Sequence, residues 1–331
     1  MDILLTGAAG FIGFHSAQRL LAHGHRVTGI DNLNAYYDVQ LKHDRLTRLQ
    51  GTPGFTFRKL DLADRDAMAA LFATQRFDAI LHLGAQAGVR YSLDAPFAYA
   101  DSNLVGMLSV LEGARAQGVR HLVYASSSSV YGANVKQPFS VEDRTDNPVS
   151  LYAATKKANE LMARAYSHLY RIPMTGLRLF TVYGPWGRPD MAYFKFTDAI
   201  LRGQAIDLYN GGQMERDFTY VDDVVDGIVR LLEATPAFAE DAVPHRVYNF
   251  GNDRPERLGD LVDHLERLLG RAASRNLLPM QPGDVLSTRA DISLAARELG
   301  YAPKTTLAQG LQHFVMWHRE HYGHACARAV A

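Results

Sequence analysis

Ile3-Leu4-Leu5-Thr6-Gly7-Ala8-Ala9-Gly10-Phe11-Ile12-Gly13 is the stretch that decides the fold. A short apolar run ends in glycines spaced G-x-x-G-x-x-G. An amphipathic stretch follows to Gly24, with Ile12, Ala17, Leu20 and Leu21 at helical spacing. Strand, glycine turn and helix in that order is the context a dinucleotide loop needs. The glycines let the backbone approach a pyrophosphate, and the helix start offers free N–H groups and a partial positive charge. The spacing departs from G-x-G-x-x-G, and a glycine triplet alone is a weak motif that a plain structural turn also explains.

Working outward, Arg26-Val27-Thr28-Gly29-Ile30 reads as a second strand ending on Asp31. A carboxylate about twenty residues past the glycines can accept from adenosine ribose hydroxyls and repels a 2′-phosphate, which favours NAD over NADP. A helix or turn cap is the plain alternative. Phe55–Leu60 leading to Asp61, and Ala79–Leu83 leading to Gly84-Ala85-Gln86-Ala87, are two further strand–helix units. Asp61 stands at a strand end where it can meet the adenine, and His82, inside an apolar strand, reads as a core histidine. A helical stretch from Pro96 to Gln117 and a fifth strand from His121 to Ala125 continue the alternation. The pattern predicts an α/β fold, a doubly wound parallel sheet with ligands at the carboxyl ends of its strands.

The bulk numbers set outer limits. A chain of 331 residues has room for about two domains. With 47% hydrophobic and 21% charged residues it has the composition of a soluble protein with a sizeable core. Lys+Arg and Asp+Glu both total 35, so no basic field invites nucleic acid or an acidic membrane. The one cysteine, Cys326, excludes an intrachain disulfide framework and reads as a bystander. With no basic leader or membrane-length apolar run, and no metal site singled out, a cytoplasmic enzyme is expected.

Chemistry enters at Ser150-Leu151-Tyr152-Ala153-Ala154-Thr155-Lys156. A helix puts Tyr152 and Lys156 one turn apart on one face. A free phenol loses its proton only near pH ~10, and a nearby ammonium lowers that value, so the two can form an acid/base pair. Tyr-x-x-x-Lys alone also describes many solvated surface helices. Ser126-Ser127-Ser128-Ser129-Val130-Tyr131-Gly132, at the carboxyl end of the fifth strand, adds hydroxyls at the ligand edge of the sheet. Such a hydroxyl can share a substrate proton with Tyr152.

Glycine turn, Asp31, serine loop and Tyr-x-x-x-Lys in that order resemble the extended short-chain dehydrogenase/reductase family over nearly the whole chain. The resemblance implies a Rossmann sheet with a smaller C-terminal α/β substrate domain. It implies Tyr152 as base, Lys156 as its cationic partner and ribose anchor, and Ser127 as the assisting hydroxyl. The NAD set it implies is Gly7, Gly10, Phe11, Ile12, Gly13, Asp31, Asn32, Asp61, Leu62, Leu83, Ala85 and Lys156.

Longer runs narrow the resemblance to nucleotide-sugar 4-epimerases, most closely those of UDP-glucuronate. The carriers are Asp31-Asn32-Leu33-Asn34 with Tyr36-Tyr37-Asp38, Ala85–Ser92, Phe180–Ala192 and Met280–Val285. Carried over residue by residue, the substrate set is Arg90, Ser127, Ser128, Thr181, Arg188, Arg216 and Asp284. Arg216 is expected near the diphosphate and Asp284 at the uridine ribose. A sixth strand, Met174 to Leu179, is expected to close the nucleotide half, and Arg216–Asp223 resembles the family's return to the sheet. The expected division is 1–179 for the cofactor, with a return at about 216–251, and 180–215 with 252–331 for the substrate. Asp222 and Asp223 read as helix-start residues, Asp291 as an N-cap, and Leu258–Leu269 and Leu307–His318 as helices. The resemblance also implies a homodimer built from the helices around Pro96–Gln117 and Ser150–Tyr170.

The implied reaction is C4 epimerisation of UDP-glucuronate through a 4-keto sugar, with tightly retained NAD regenerated each cycle. That keto sugar is a β-keto acid, so its carboxylate must be kept out of line with the carbonyl π system. Arg188 suits a bidentate hold on it, with Thr181 and Ser128 as hydroxyl partners. Related 4,6-dehydratases and uronate decarboxylases place an acid where Ser129 stands. UDP-glucose/galactose 4-epimerases usually have asparagine at Thr181 and arginine at Gln281. These rivals, and a silent NAD-binding sensor, are the alternatives.

Overall fold

The computed structural model describes residues 1–280 and 285–328, with side chains through residue 323. Gln281, Asp284 and the Cys326 side chain lie outside the described residues. The first half alternates as its pattern predicts: β1 (Asp2–Thr6), α1 (Phe11–Ala22), β2 (Arg26–Asp31), α2 (Val39–Leu49), β3 (Phe55–Lys59), α3 (Arg65–Thr74) and β4 (Ala79–His82). β5 (His121–Ser127) runs on past Ala125 into the serines, and β6 is Met174–Leu179. All pair in parallel in the order β3-β2-β1-β4-β5-β6, with a seventh strand, His245–Phe250, beyond β6. This is a doubly wound Rossmann-like sheet whose strand order reverses between β1 and β4.

Both faces of the sheet are covered, which is why its strands read as unbroken apolar runs. Ile3 and Leu5 point into one core, with Phe11, Phe14 and Leu20 of α1. Leu4 and Ile80 point into the other, with Met107, Val110 and Leu111. Side-chain caps set the helix starts: Asp38 accepts from Gln40 N–H and Asp64 from Ala67 N–H. His82 is a core histidine, buried and hydrogen-bonded to Thr6 Oγ1 at 2.8 Å, with burial driving its pKa down to about 3.

Four expectations are corrected. The sheet does not end at β6, and the return to it is His245–Phe250. Glu215–Tyr220 instead joins Thr181–Tyr183 and Pro255–Arg257 in a separate three-stranded sheet. The helical stretch from Pro96 contains a π-helical turn at Ala100–Val105 before Gly106–Gln117. The turn loosens the backbone ladder, and the Asn103 carbonyl accepts from Asn159 Nδ2 at 2.6 Å. At Ser293–Leu299 the cap position is Ile292, while the Asp291 carboxylate takes the Ser293 N–H. The last helix starts at Leu307 as expected but runs to Arg328. Asp222 and Asp223 do lie in the first turn of the helix Val221–Glu233. Among the described residues no helix is long and apolar enough to cross a membrane.

Candidate active site

At the carboxyl edge of the sheet, where the strand order reverses, one cavity runs from the glycine turn to the serine loop and on to Arg188. Gly7 leaves β1 with φ +71°, a conformation other residues rarely adopt. A Cβ on Gly13 would stand 2.1 Å from the Gly7 carbonyl oxygen, so only glycine lets α1 begin this close to the turn. α1 starts from Gly10 with no side-chain cap, which leaves first-turn N–H groups for an anion. Asp31 closes this end: its carboxylate accepts from Ala9 N–H at 3.2 Å and Leu33 N–H at 2.8 Å, with Lys42 Nζ 3.9 Å away. Further along the wall, Asn32 Nδ2 donates to Asp61 at 2.8 Å.

The helix Leu151–Tyr170 brings in the acid/base pair. Ser150 caps it by accepting from Ala153 N–H at 3.1 Å, which places Tyr152 and Lys156 in its first turns, facing β5. Burial raises the Tyr152 pKa, while a hydrogen-bonding interaction with Ser127 and the charge of Arg188 draw it part of the way back. Lys156 Nζ donates to the Ala125 carbonyl at 2.8 Å, and burial lowers its pKa to about 8. The charge of Arg188 thus acts on Tyr152 as well, a cation that spacing did not reveal, in the same wall as Lys156. Asn103, in the π-helical turn, accepts from Gln86 N–H and donates to Thr155 Oγ1 at 3.0 Å. It ties the β4 loop to this helix.

Arg188 reaches the cavity from the loop after Thr181–Tyr183. Its Nε and Nη2 donate to the two oxygens of Asp190 at 3.0 and 2.5 Å, and Tyr36 Oη donates to Asp190 at 3.0 Å. The loop is anchored from behind by Arg45, a fully buried guanidinium. It donates to the carbonyls of Trp186 and Gly187 on one side and to Ala9 of the glycine turn on the other. Trp186 itself has φ +59°, and Arg45 supplies the contacts that hold it there.

The cavity wall thus joins all twelve residues of the expected cofactor set with Ser127, Tyr152 and Arg188. Arg90, Ser128, Thr181 and Arg216 are not part of it. Arg90 lies over the Tyr209 ring at 4.9 Å, and Arg216 donates to the carbonyls of Glu215 and Leu286. Asp284 lies outside the described residues. Sequence reading missed Lys42, Arg45, Asn103 and Asp190 as contributors. Asp190 and Tyr36 stood inside the family-like runs. Lys42 and Arg45, three apart on one face of α2, carried no other signal than being charged on an apolar stripe.

A family model described as the NAD dependent epimerase/dehydratase family matches residues 3–251. A probable UDP-glucuronate 4-epimerase of Rhizobium meliloti is 49% identical over 98% of this chain and 99% of its own length. The UDP-glucuronic acid 4-epimerase of Bacillus cereus, solved with UDP-glucuronic acid and NAD, superposes with a TM-score of 0.90 at 33% identity. That match covers 97% of this chain and 100% of the other. A UDP-glucose 4-epimerase of Thermotoga maritima, solved with UDP-glucose, gives a TM-score of 0.87 at 30% identity, covering 97% and 99%. Shape alone therefore does not separate the two sugars. The glycine cradle, the uncapped start of α1 and Asp31 fit a dinucleotide with an unphosphorylated adenosine ribose.

Proposed function

The chain belongs to the NAD-dependent epimerase/dehydratase family, and from that premise we propose that it interconverts UDP-glucuronate and UDP-galacturonate by inverting C4. The observation that carries the reading is a single cavity in which Ser127, Tyr152 and Lys156 are joined by the partly buried cation Arg188. A neutral hexose has no use for a guanidinium beside the acid/base group, whereas a uronate does.

Tyr152 takes the proton of the sugar 4-hydroxyl, with the Ser127 hydroxyl sharing it. Bound NAD supplies the oxidation by accepting hydride from C4 and returning it later. As the alkoxide becomes a carbonyl, the charges of Arg188 and Lys156 favour the phenolate that a buried Tyr152 otherwise resists. The 4-keto sugar turns about its diphosphate linkage, presents its other face, and recovers a proton from Tyr152. Throughout, Arg188 holds the carboxylate away from alignment with the C4 carbonyl, which opposes decarboxylation. Ser129, where related eliminating enzymes carry an acid, offers no group to drive loss of water.

In this reading residues 1–179 and 221–251 serve the cofactor, and 180–220 and 252–331 the nucleotide sugar. Arg90, Ser128, Thr181, Arg216 and Asp284 are proposed substrate contacts beyond the wall that holds Arg188. Leu93, Phe97, Leu161 and Leu169 are 78, 82, 59 and 64% exposed. All four lie on or beside the helices expected at a subunit contact, and this supports a homodimer.

NMR of the purified protein with UDP-glucuronate and no added NAD tests the reading. UDP-galacturonate should appear. Carbon dioxide with a UDP-pentose, or turnover of UDP-galactose alone, would overturn it.

A further inference from the structure

Arg188 already has a carboxylate. Asp190 takes Nε and Nη2, one of the two guanidinium edges that match a carboxylate fork to fork. Tyr36 then donates to the Asp190 oxygen that Nη2 also uses. No described residue accepts from Arg188 Nη1. The pair lies about three-quarters buried at 24 and 23% side-chain exposure, where its charges are poorly screened. Tyr36 is itself held by packing: its ring stacks obliquely on Tyr91 at 4.8 Å, and a Cβ on Gly88 would strike its hydroxyl at 2.3 Å. Asp190 is therefore fixed from two sides rather than free to swing away.

From this geometry we propose that Asp190 tempers Arg188. It occupies the Nε/Nη2 edge, leaves a sugar carboxylate the Nη1/Nη2 edge of an already paired cation, and so sets how tightly a uronate is held. The inference rests on the uronate reading above. An arginine shared by two carboxylates binds each more weakly than it would bind one, because the two anions repel. For a reaction in which the sugar must turn over between two hydride transfers, a weaker hold has a use. A guanidinium with no internal partner would keep the uronate in one pose. The same arrangement leaves a neutral hexose unaffected, since it has no charge to compete with Asp190.

The test is binding without turnover. NAD-loaded Tyr152→Phe protein is titrated calorimetrically with UDP-glucuronate and with UDP-glucose, with and without Asp190→Asn. The parent should prefer UDP-glucuronate; if it does not, the uronate reading fails, and this inference falls with it. Given that preference, Asp190→Asn should tighten UDP-glucuronate by ~10-fold and leave UDP-glucose within ~2-fold. UDP-glucuronate should also raise the Tm of the Asn variant more than that of the parent, because the ligand then supplies the missing partner of a buried cation. With Tyr152 intact, KM and kcat for the uronate should fall together. Unchanged or weaker uronate binding, with the parent's preference intact, overturns the proposal alone.

Tyr36→Phe decides the matter if the Asn variant does not fold. Losing the tyrosine donor makes Asp190 pull harder on Arg188, so UDP-glucuronate should weaken ~3-fold and UDP-glucose should not change. Equal weakening of both sugars would mean that Tyr36 and Asp190 only shape the cavity.

Discussion

Glutamine at position 160 would keep the shape of the side chain and remove the charge facing a buried guanidinium. Glu160 Oε1 accepts from Ser126 Oγ at 2.6 Å and from Arg178 Nε at 2.9 Å, and Oε2 accepts from Arg178 Nη2 at 2.9 Å. Both side chains are almost wholly buried, at 5 and 6% exposure. Removing one member of such a pair costs about 3–5 kcal/mol, because the other charge stays buried without compensation. Arg178 keeps the Tyr131 hydroxyl and the Val141 carbonyl, which places the expected loss for Glu160→Gln at the lower end, about 3 kcal/mol. For a chain of this length that is a fall in Tm of about 4 °C.

The loss should reach the chemistry as well. Tyr152, Lys156 and Glu160 recur at one-turn spacing, and Ser126 precedes Ser127, so this pair ties the acid/base helix to the serine strand. Urea unfolding of the NAD-loaded protein at pH 7, with initial rates measured well below the Tm, reads both effects. Burial pushes the Glu160 pKa up, but Arg178 and Ser126 hold it below its ordinary 4.5. Its contribution is therefore present above the unfolded value and lost as pH falls through the lower folded one. Parent and variant should converge in acid. A loss under about 1 kcal/mol at pH 7, or a gap that persists in acid, would refute the reasoning.

Two further outcomes follow from buried groups. Lys156 has a folded pKa of about 8 against 10.5, so the penalty for burying its charge is fully felt below about pH 8 and fades as pH rises towards 10.5. Lys156→Met should abolish turnover yet stabilise the cofactor-free protein by up to about 3 kcal/mol at pH 7, with the gain vanishing near pH 10.5. Urea midpoints across that range check it, and a less stable variant at pH 7 would count against it. His15, His82, His121 and His245 are pushed by burial to about 4, 3, 4 and 4, so they stay neutral when folded while the unfolded chain protonates near 6.5. Stability should be lost as pH falls below that value, at about 5 kcal/mol per pH unit once all four contribute. Urea midpoints that stay flat from pH 7 to 5 would contradict it.

What was legible in the sequence was local. The glycine turn after an apolar run, the carboxylate at the end of β2, and a tyrosine and lysine one turn apart depend on neighbours within a few residues. So does the strand–helix alternation. Backbone sterics and helical periodicity carry that information without the rest of the chain.

Partnership between distant residues was decided only in the folded molecule. The return to the large sheet falls at His245–Phe250 because that strand, and not Glu215–Tyr220, finds the free edge of β6. The Nε/Nη2 edge of Arg188 is spent on Asp190, two residues away, where the loop is held by Arg45 from a different helix. Lys156 is held by a hydrogen bond to the Ala125 carbonyl, and Arg188 adds a second charge that acts on Tyr152. A charge acts through whichever groups are closest in space and least screened by water. Tertiary packing decides both, so periodicity placed these side chains on the right face and three-dimensional contact assigned their roles.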